Sequence, residues 1–179
     1  MNNLYSCLEA EGDVIECGVA SGANTFPLAD MVKTYNKQKG TNKRVFACDT
    51  FSGMPYDDSF KEGHKAGELN YGLNFKLIQA QRKDLPITRI EGLVEESLPN
   101  NLSNGRFCFV FLDMDLYEPT RSAFLFLKDK ISIGGIIGFH DYEWHKCPGV
   151  KKVIDEHLDK CAFSPIMIKD YTIFFKKVA

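Results

Sequence analysis

Six polar residues stand where apolar runs of this sequence stop: Glu16, Asp49, Asp113, Asp115, His140 and Asp141. Asp113 and Asp115 follow FCFVFL, residues 107–112. His140 and Asp141 follow IGGIIGF, residues 133–139. Carboxylates from two neighbouring strand ends can hold a hard divalent cation such as Mg²⁺. A histidine among them admits ions that accept nitrogen, such as Mn²⁺, Fe²⁺ or Zn²⁺. The competing explanation makes Asp113 and Asp141 helix caps and His140 a core residue, but paired acids at two strand ends exceed what capping needs.

Glu16 and Asp49 suggest different chemistry. Glu16 lies in VIECGVASG, where Gly18 and Gly22 allow a tight turn and close approach of the backbone to a ligand. The dinucleotide pattern GxGxxG is poorly met, because Ala20 replaces its second glycine, and the lysine of a phosphate-binding loop is missing. A carboxylate here would repel a diphosphate and suit an ammonium group or backbone amides. A positively charged cofactor therefore fits this turn, Ala20 and Ser21 included, better than NAD. Asp49 ends the next strand, the place where a carboxylate holds the ribose hydroxyls of an adenosine, with Thr50 beside it. The remaining candidates are weaker. His145, in DYEWHK, could serve the site. Trp144 is either a substrate wall or a half-buried ring. His64 reads as loop surface and His157 as a packing residue on a helix face.

The elements that must position these residues alternate. Strands are expected at Asp13 to Cys17, at RVFACD ending in Asp49, at Ile87 to Glu91, at Phe107 to Leu112 and at Ile133 to Phe139. Leu28, Met31, Val32 and Tyr35 recur at helical spacing, with Asn24 or Thr25 as cap. Further helices are expected over Asn74 to Gln81, Leu93 to Leu98 and Pro119 to Lys130, and along Val150, Val153, Ile154, His157 and Leu158. Two short strands, Pro165 to Ile168 and Thr172 to Lys176, should form an antiparallel hairpin. FCFVFL is continuously apolar, as in a central parallel strand buried on both faces. The order βαβαβ predicts an open, mostly parallel Rossmann-like sheet with helices on both faces and a C-terminal antiparallel hairpin. Ligands of such sheets bind beyond the carboxyl ends of the strands, where the six polar residues fall. The Gly-rich, charged stretch from Thr50 to about Lys83 is expected to supply a lid.

The 179 residues suffice for one domain, and a net charge of −2 gives no argument for nucleic acid. No stretch approaches the roughly 18 apolar residues that cross a bilayer, so a membrane is not expected as a partner. Six cysteines without a CxxC pair read as reduced thiols of a cytoplasmic protein. The charged linker from Lys37 to Arg44 reads as a solvated surface.

Five segments in order, GDVIECGVASG, VFACDTFSGMP, EGLVEESLP, FLDMDLYEPT and GGIIGFHDY, resemble the macrocin O-methyltransferase family. These are class I methyltransferases that use S-adenosyl-L-methionine, many of them on sugar hydroxyls and with a divalent metal. The resemblance runs from about Gly12 to Leu158. It implies that Glu16 and Gly18 hold the methionine end of the cofactor, Asp49 the ribose, and Gly92 and Leu93 part of the adenine side. It implies Asp113 and Asp141 as metal ligands, with Asp113 also touching the cofactor. His140 stands where the family has the first acid of an Asp-Asp pair. Only Met1 to Gly12 precede the first strand, whereas family members carry a longer segment there. The acceptor pocket is therefore expected from Met54 to Lys83, from Tyr142 to Pro148 or from a second subunit, and a homodimer is expected.

The reaction implied is in-line methyl transfer to a hydroxyl of a carbohydrate-like small molecule. Mg²⁺ or Mn²⁺ at Asp113, His140 and Asp141 would acidify the hydroxyl, and Asp115 or His145 would take the proton. Two other readings compete: an NAD-dependent enzyme on a similar sheet, and a methyltransferase-like domain that binds a partner without catalysis.

Overall fold

All six residues of Phe107–Leu112 are buried, as a continuously apolar strand requires. This strand, β4, lies at the centre of a seven-stranded sheet in a computed structural model that describes residues 2–56 and 65–179. The strands are β1 (Asp13–Cys17), β2 (Val45–Asp49), β3 (Ile87–Glu91), β4, β5 (Ile131–Phe139), β6 (Phe163–Lys169) and β7 (Thr172–Lys177). Their order is β3-β2-β1-β4-β5-β7-β6. The first five run parallel, while β7 is antiparallel to β5 and β6 to β7. The expected sheet and hairpin are both present.

The helices are α1 (Asn2–Cys7), α2 (Thr25–Lys39), α3 (Gly72–Gln81), α4 (Val94–Leu102), α5 (Tyr117–Leu127) and α6 (Pro148–His157), with a 3-10 turn at Lys128–Lys130. Side chains alternate across each strand, so each parallel strand feeds two cores. One core joins Ile15, Val110 and Ile137 to Leu98 of α4, Phe124 of α5 and Val153 of α6. The other joins Val14, Phe109 and Ile136 to Leu8, to Val32 of α2 and to Phe75 of α3. The hairpin turns through Asp170 and Tyr171, both at positive φ (49° and 57°), the pair of left-handed residues that a tight two-residue loop needs.

Some boundaries differ from the sequence reading. α1 was not expected. α5 begins two residues before Pro119, and β5 two residues before Ile133. Neither Asn24 nor Thr25 caps α2 with its side chain, and the Thr25 hydroxyl donates to Glu16 instead. The charged linker is not wholly solvated: Lys43 Nζ donates to the carbonyls of Ala10 and Gly12 at 2.8 and 2.6 Å, tying down the segment before β1. All six cysteines are free thiols, five of them buried and Cys161 exposed. His64 and the middle of the expected lid lie outside the described residues.

Candidate active site

Gly18 joins the first strand end to the fourth. The Asp113 amide donates to the Cys17 carbonyl at 2.8 Å, bringing the two ends side by side. At φ 84° a side chain on Gly18 is strained, and a Cβ there would fall 1.9 Å from the Asp113 carbonyl oxygen. Gly22 serves packing instead: a Cβ there would meet the Phe26 ring, which stacks on Phe75.

Glu16 is buried, at 1% exposure, with one oxygen accepting the Thr25 hydroxyl and Oε1 left without a partner. Burial pushes its carboxyl up to about 8. Asp49 is held very differently. Its Oδ2 accepts the amides of Val19 and Ala20 at 2.6 and 3.0 Å, and its Oδ1 accepts the Phe51 amide at 2.7 Å. The carboxylate clamps the glycine turn and keeps lone pairs free for a further donor.

A cleft opens beyond these strand ends. Of the sequence candidates, Gly18, Ala20, Asp49, Thr50, Gly92 and Leu93 line it, together with Asp113 and Asp115. Glu16, Ser21 and Gly22 do not. Glu95 lines it without having been singled out from the sequence, whereas Met54, which opens the stretch expected to build the acceptor pocket, lines this cleft instead. The signal for Glu95 was its place in the first turn of α4, at the mouth of the β3 end.

The second cluster gathers past β4 and β5. His140 Nδ1 lies 2.9 Å from Asp113 Oδ1 and 3.0 Å from Asp141 Oδ2. The Asp113 and Asp141 carboxylates hold the His140 imidazole up at about 10. Asp115 and Asp141 both have positive φ (61° and 58°), a backbone that non-glycine residues adopt at a cost. Burial first, and then its hydrogen bond to Asp141, push Asp115 up to about 9. The Cys147 thiol donates to Asp115 Oδ1 at 3.7 Å, a contact no sequence signal announced. At neutral pH Asp115 thus carries a proton, which is not the state of a ready base. His145 is exposed, meets the edge of Trp144, and lines neither the cleft nor this cluster.

Ligand atoms of Asp113, His140 and Asp141 lie within 4.8 Å of one another. An octahedral ion with bonds of about 2.1 Å has ligand-to-ligand edges of about 3.0 Å. The two measured approaches to Nδ1 have that length, so the spacing fits a small divalent cation, which His140 joins only by releasing the proton it holds at neutral pH. Glu16, a buried carboxyl two residues before the cleft-lining Gly18, has the charge to suit a cofactor with an ammonium end.

The family described as Macrocin-O-methyltransferase (TylF) matches residues 1–177. An 8-demethyl-8-(2,3-dimethoxy-alpha-L-rhamnosyl)-tetracenomycin-C 4'-O-methyltransferase of Streptomyces olivaceus is 28% identical over 169 residues, covering 82% of this chain and 61% of that protein. Demethyldecarbamoylnovobiocin O-methyltransferase of Streptomyces niveus is 25% identical over 185 residues, covering 89% and 65%. The chain thus spans somewhat under two thirds of the length of these relatives. The crystal structure of the calicheamicin methyltransferase CalS11 superposes with a TM-score of 0.77 at 20% identity, over 98% of this chain and 76% of the other, a likeness of fold.

Proposed function

The chain belongs to the macrocin-O-methyltransferase family, and from that premise we propose that it is a single S-adenosyl-L-methionine-dependent domain that methylates a hydroxyl of a small, carbohydrate-like acceptor. The observation that carries this reading is the position of Asp113. It lines the cofactor cleft and at the same time faces His140, so cofactor and acceptor sides share one residue.

The cofactor supplies an electrophilic methyl group on a sulfonium. Asp49 would hold the ribose while it fixes the glycine turn. Gly92 and Leu93 would border the adenine. Glu16, behind the turn, would attract the methionine ammonium, and that cation would favour the charged carboxylate. Asp113, His140 and Asp141 would hold Mg²⁺ or Mn²⁺, which lowers the pKa of a bound hydroxyl. Cys147 and Asp141 fix the Asp115 carboxyl beside the cleft, ready to exchange a proton once a cation offsets the local negative charge. The Streptomyces olivaceus relative acts, by its name, on a rhamnosyl-tetracenomycin, which supports a sugar hydroxyl as acceptor.

Calorimetry with S-adenosylhomocysteine tests the cofactor half, and EDTA added during methyl transfer tests the metal half. Absence of S-adenosylhomocysteine binding would overturn the reading. We also propose a homodimer, supported by the exposed apolar residues Leu73 and Leu77 one turn apart on α3, 69% and 57% accessible. Light scattering at assay concentration decides it. Free thiols throughout support a cytoplasmic protein. The net charge of −2 supports no nucleic-acid partner, and no helix among the described residues is long and apolar enough to cross a membrane.

A further inference from the structure

Two thiols far apart in the sequence meet where α1 packs on the sheet. Cys7 ends α1, and Cys108 is the second residue of β4. They are 1% and 0% exposed and share one apolar cluster with Leu8 and Phe109. The Cys7 thiol is hydrogen-bonded to that of Cys108. Cys108 Sγ in turn donates to the Asp13 carbonyl at 3.4 Å and lies 3.9 Å from Lys43 Nζ. The Lys43 ammonium is fixed there, because it also donates to the carbonyls of Ala10 and Gly12. The hydrogen bond from Cys7, and then the Lys43 ammonium, bring the Cys108 thiol down against the effect of burial, while the same contact and burial push Cys7 up. One sulfur of the pair is thus disposed to be the thiolate and the other to keep its proton.

We propose that Cys7 and Cys108 form a dithiol oxidation site, which a hydroperoxide closes to a disulfide that bolts α1 to β4. The Cys108 thiolate attacks a peroxide oxygen, the O–O bond breaks, and hydroxide leaves, giving a sulfenic acid. The Cys7 sulfur then attacks Cys108, the S–S bond forms as the S–O bond breaks, and the departing hydroxide takes the Cys7 proton as water. Two electrons pass from the two sulfurs to the peroxide, and a dithiol reverses the step by exchange. Cys17 and Cys48 are a poorer pair, although they stand opposite each other across β1 and β2. The ladder keeps those strands about 4.8 Å apart, whereas a disulfide draws its Cβ atoms to about 3.8 Å. Cys7 sits on no ladder. A six-residue helix does not persist by itself, so α1 opens locally, admits the oxidant and adjusts to the bond. The site lies at the start of β4, away from the strand ends that carry Asp49 and Asp113, and the inference is independent of the methyltransferase reading.

The test treats the full chain with hydrogen peroxide at neutral pH and then alkylates the remaining thiols in denaturant. Intact mass should show two fewer alkylated cysteines than the reduced chain, and peptide mapping should show Cys7 linked to Cys108. Hydrogen exchange at the amides of residues 5–8 should slow at least tenfold in the oxidised chain and recover with dithiothreitol. Cys7→Ser should form no such link and show no slowing, and Cys7→Ala serves equally if the serine disturbs the packing of α1. A chain that keeps all its thiols overturns the proposal. So does a main product that joins Cys17 to Cys48, or that joins two chains through the exposed Cys161. A Cys7–Cys108 link that leaves exchange at residues 5–8 unchanged overturns the bolting of α1.

Discussion

Asp49 and Asp115 are carboxylates at or just past the ends of buried parallel strands, yet the molecule holds them in opposite ways. Three backbone amides converge on Asp49, from Val19, Ala20 and Phe51. Its charge is met by fixed dipoles and needs no counterion. Asp115 is set against Asp141 and near Asp113, and burial with these like charges drives it up to about 9. The β1–β2 end is thus built to be complete before a ligand arrives. The β4–β5 end concentrates negative charge that only protons or a cation can offset. Glu16 lies between the two cases, with one hydroxyl donor and one orphaned oxygen.

The largest effect expected from this contrast is a pH dependence of stability that Glu16 imposes. Its carboxyl titrates at about 8 in the folded chain, against a reference value of 4.5. The folded state therefore binds more protons between those values, and stability falls as pH rises from about 4.5 through 8. Glu16→Gln keeps a neutral side chain and removes that loss. At pH 9 the variant should exceed the wild type by on the order of 4 kcal/mol in urea unfolding, while binding S-adenosylhomocysteine at least tenfold more weakly. Equal pH profiles for the two proteins would show that Glu16 is charged in the fold. The second effect belongs to the amide-lined end. Asp49→Ala leaves three amides without their acceptor, at a cost of about 2 kcal/mol in stability and at least tenfold in cofactor affinity. An unchanged calorimetric affinity would remove Asp49 from the cofactor site.

The contrast also marks what the sequence could and could not disclose. Apolar runs ending in acids announced β1, β2, β4 and β5 and placed Asp113 and Asp141 at neighbouring ends, because strand burial and ligand position at strand ends are local signals. The partner of Glu16 was not legible, since Thr25 reads equally well as a cap and only the fold brings its hydroxyl to the acid. Cys147 was one thiol among six until the chain turned it toward Asp115. The six-residue α1 is too short to show a period. The pairing of Cys7 with Cys108 depends on how α1 docks against β4, a long-range event with no local signature.

A third prediction addresses the cation that the acid cluster calls for. With His140 as a nitrogen donor, Mn²⁺ should bind more tightly than Mg²⁺, which prefers oxygen ligands. Free ion at ten times its dissociation constant should stabilise the chain by about 1.4 kcal/mol. That corresponds to roughly 3–6 °C in Tm for a domain of this size. His140→Asp should shift the preference toward Mg²⁺. An identical ratio of Mn²⁺ to Mg²⁺ affinity in both proteins would take His140 out of the ligand set, and absence of any thermal shift with either ion would remove the metal.

The smallest expected effect is also the sharpest discriminator of how the crowded end is kept stable. If Asp115 is protonated at pH 7, it donates to Asp141 and accepts from Cys147 as a neutral group. An asparagine has nearly the same shape, offers an N–H to Asp141 in place of the O–H, and retains an oxygen for the thiol. Asp115→Asn should therefore change stability at pH 7 by less than about 1 kcal/mol. A charged Asp115 would give a different result. Removing one of two adjacent carboxylates would then relieve repulsion and raise stability by roughly 2 kcal/mol or more. The two cases also separate with pH. A group lifted to about 9 in the fold from a reference value of 3.8 contributes stability that fades as pH rises toward 9. The wild type should consequently fall behind Asp115→Asn on the alkaline side while matching it near neutrality. Urea midpoints for the two proteins at pH 7 and pH 9 decide the matter. A variant more stable by the same margin at both pH values would mean that Asp115 is ionised throughout, and that the β4–β5 end tolerates its charge without a proton.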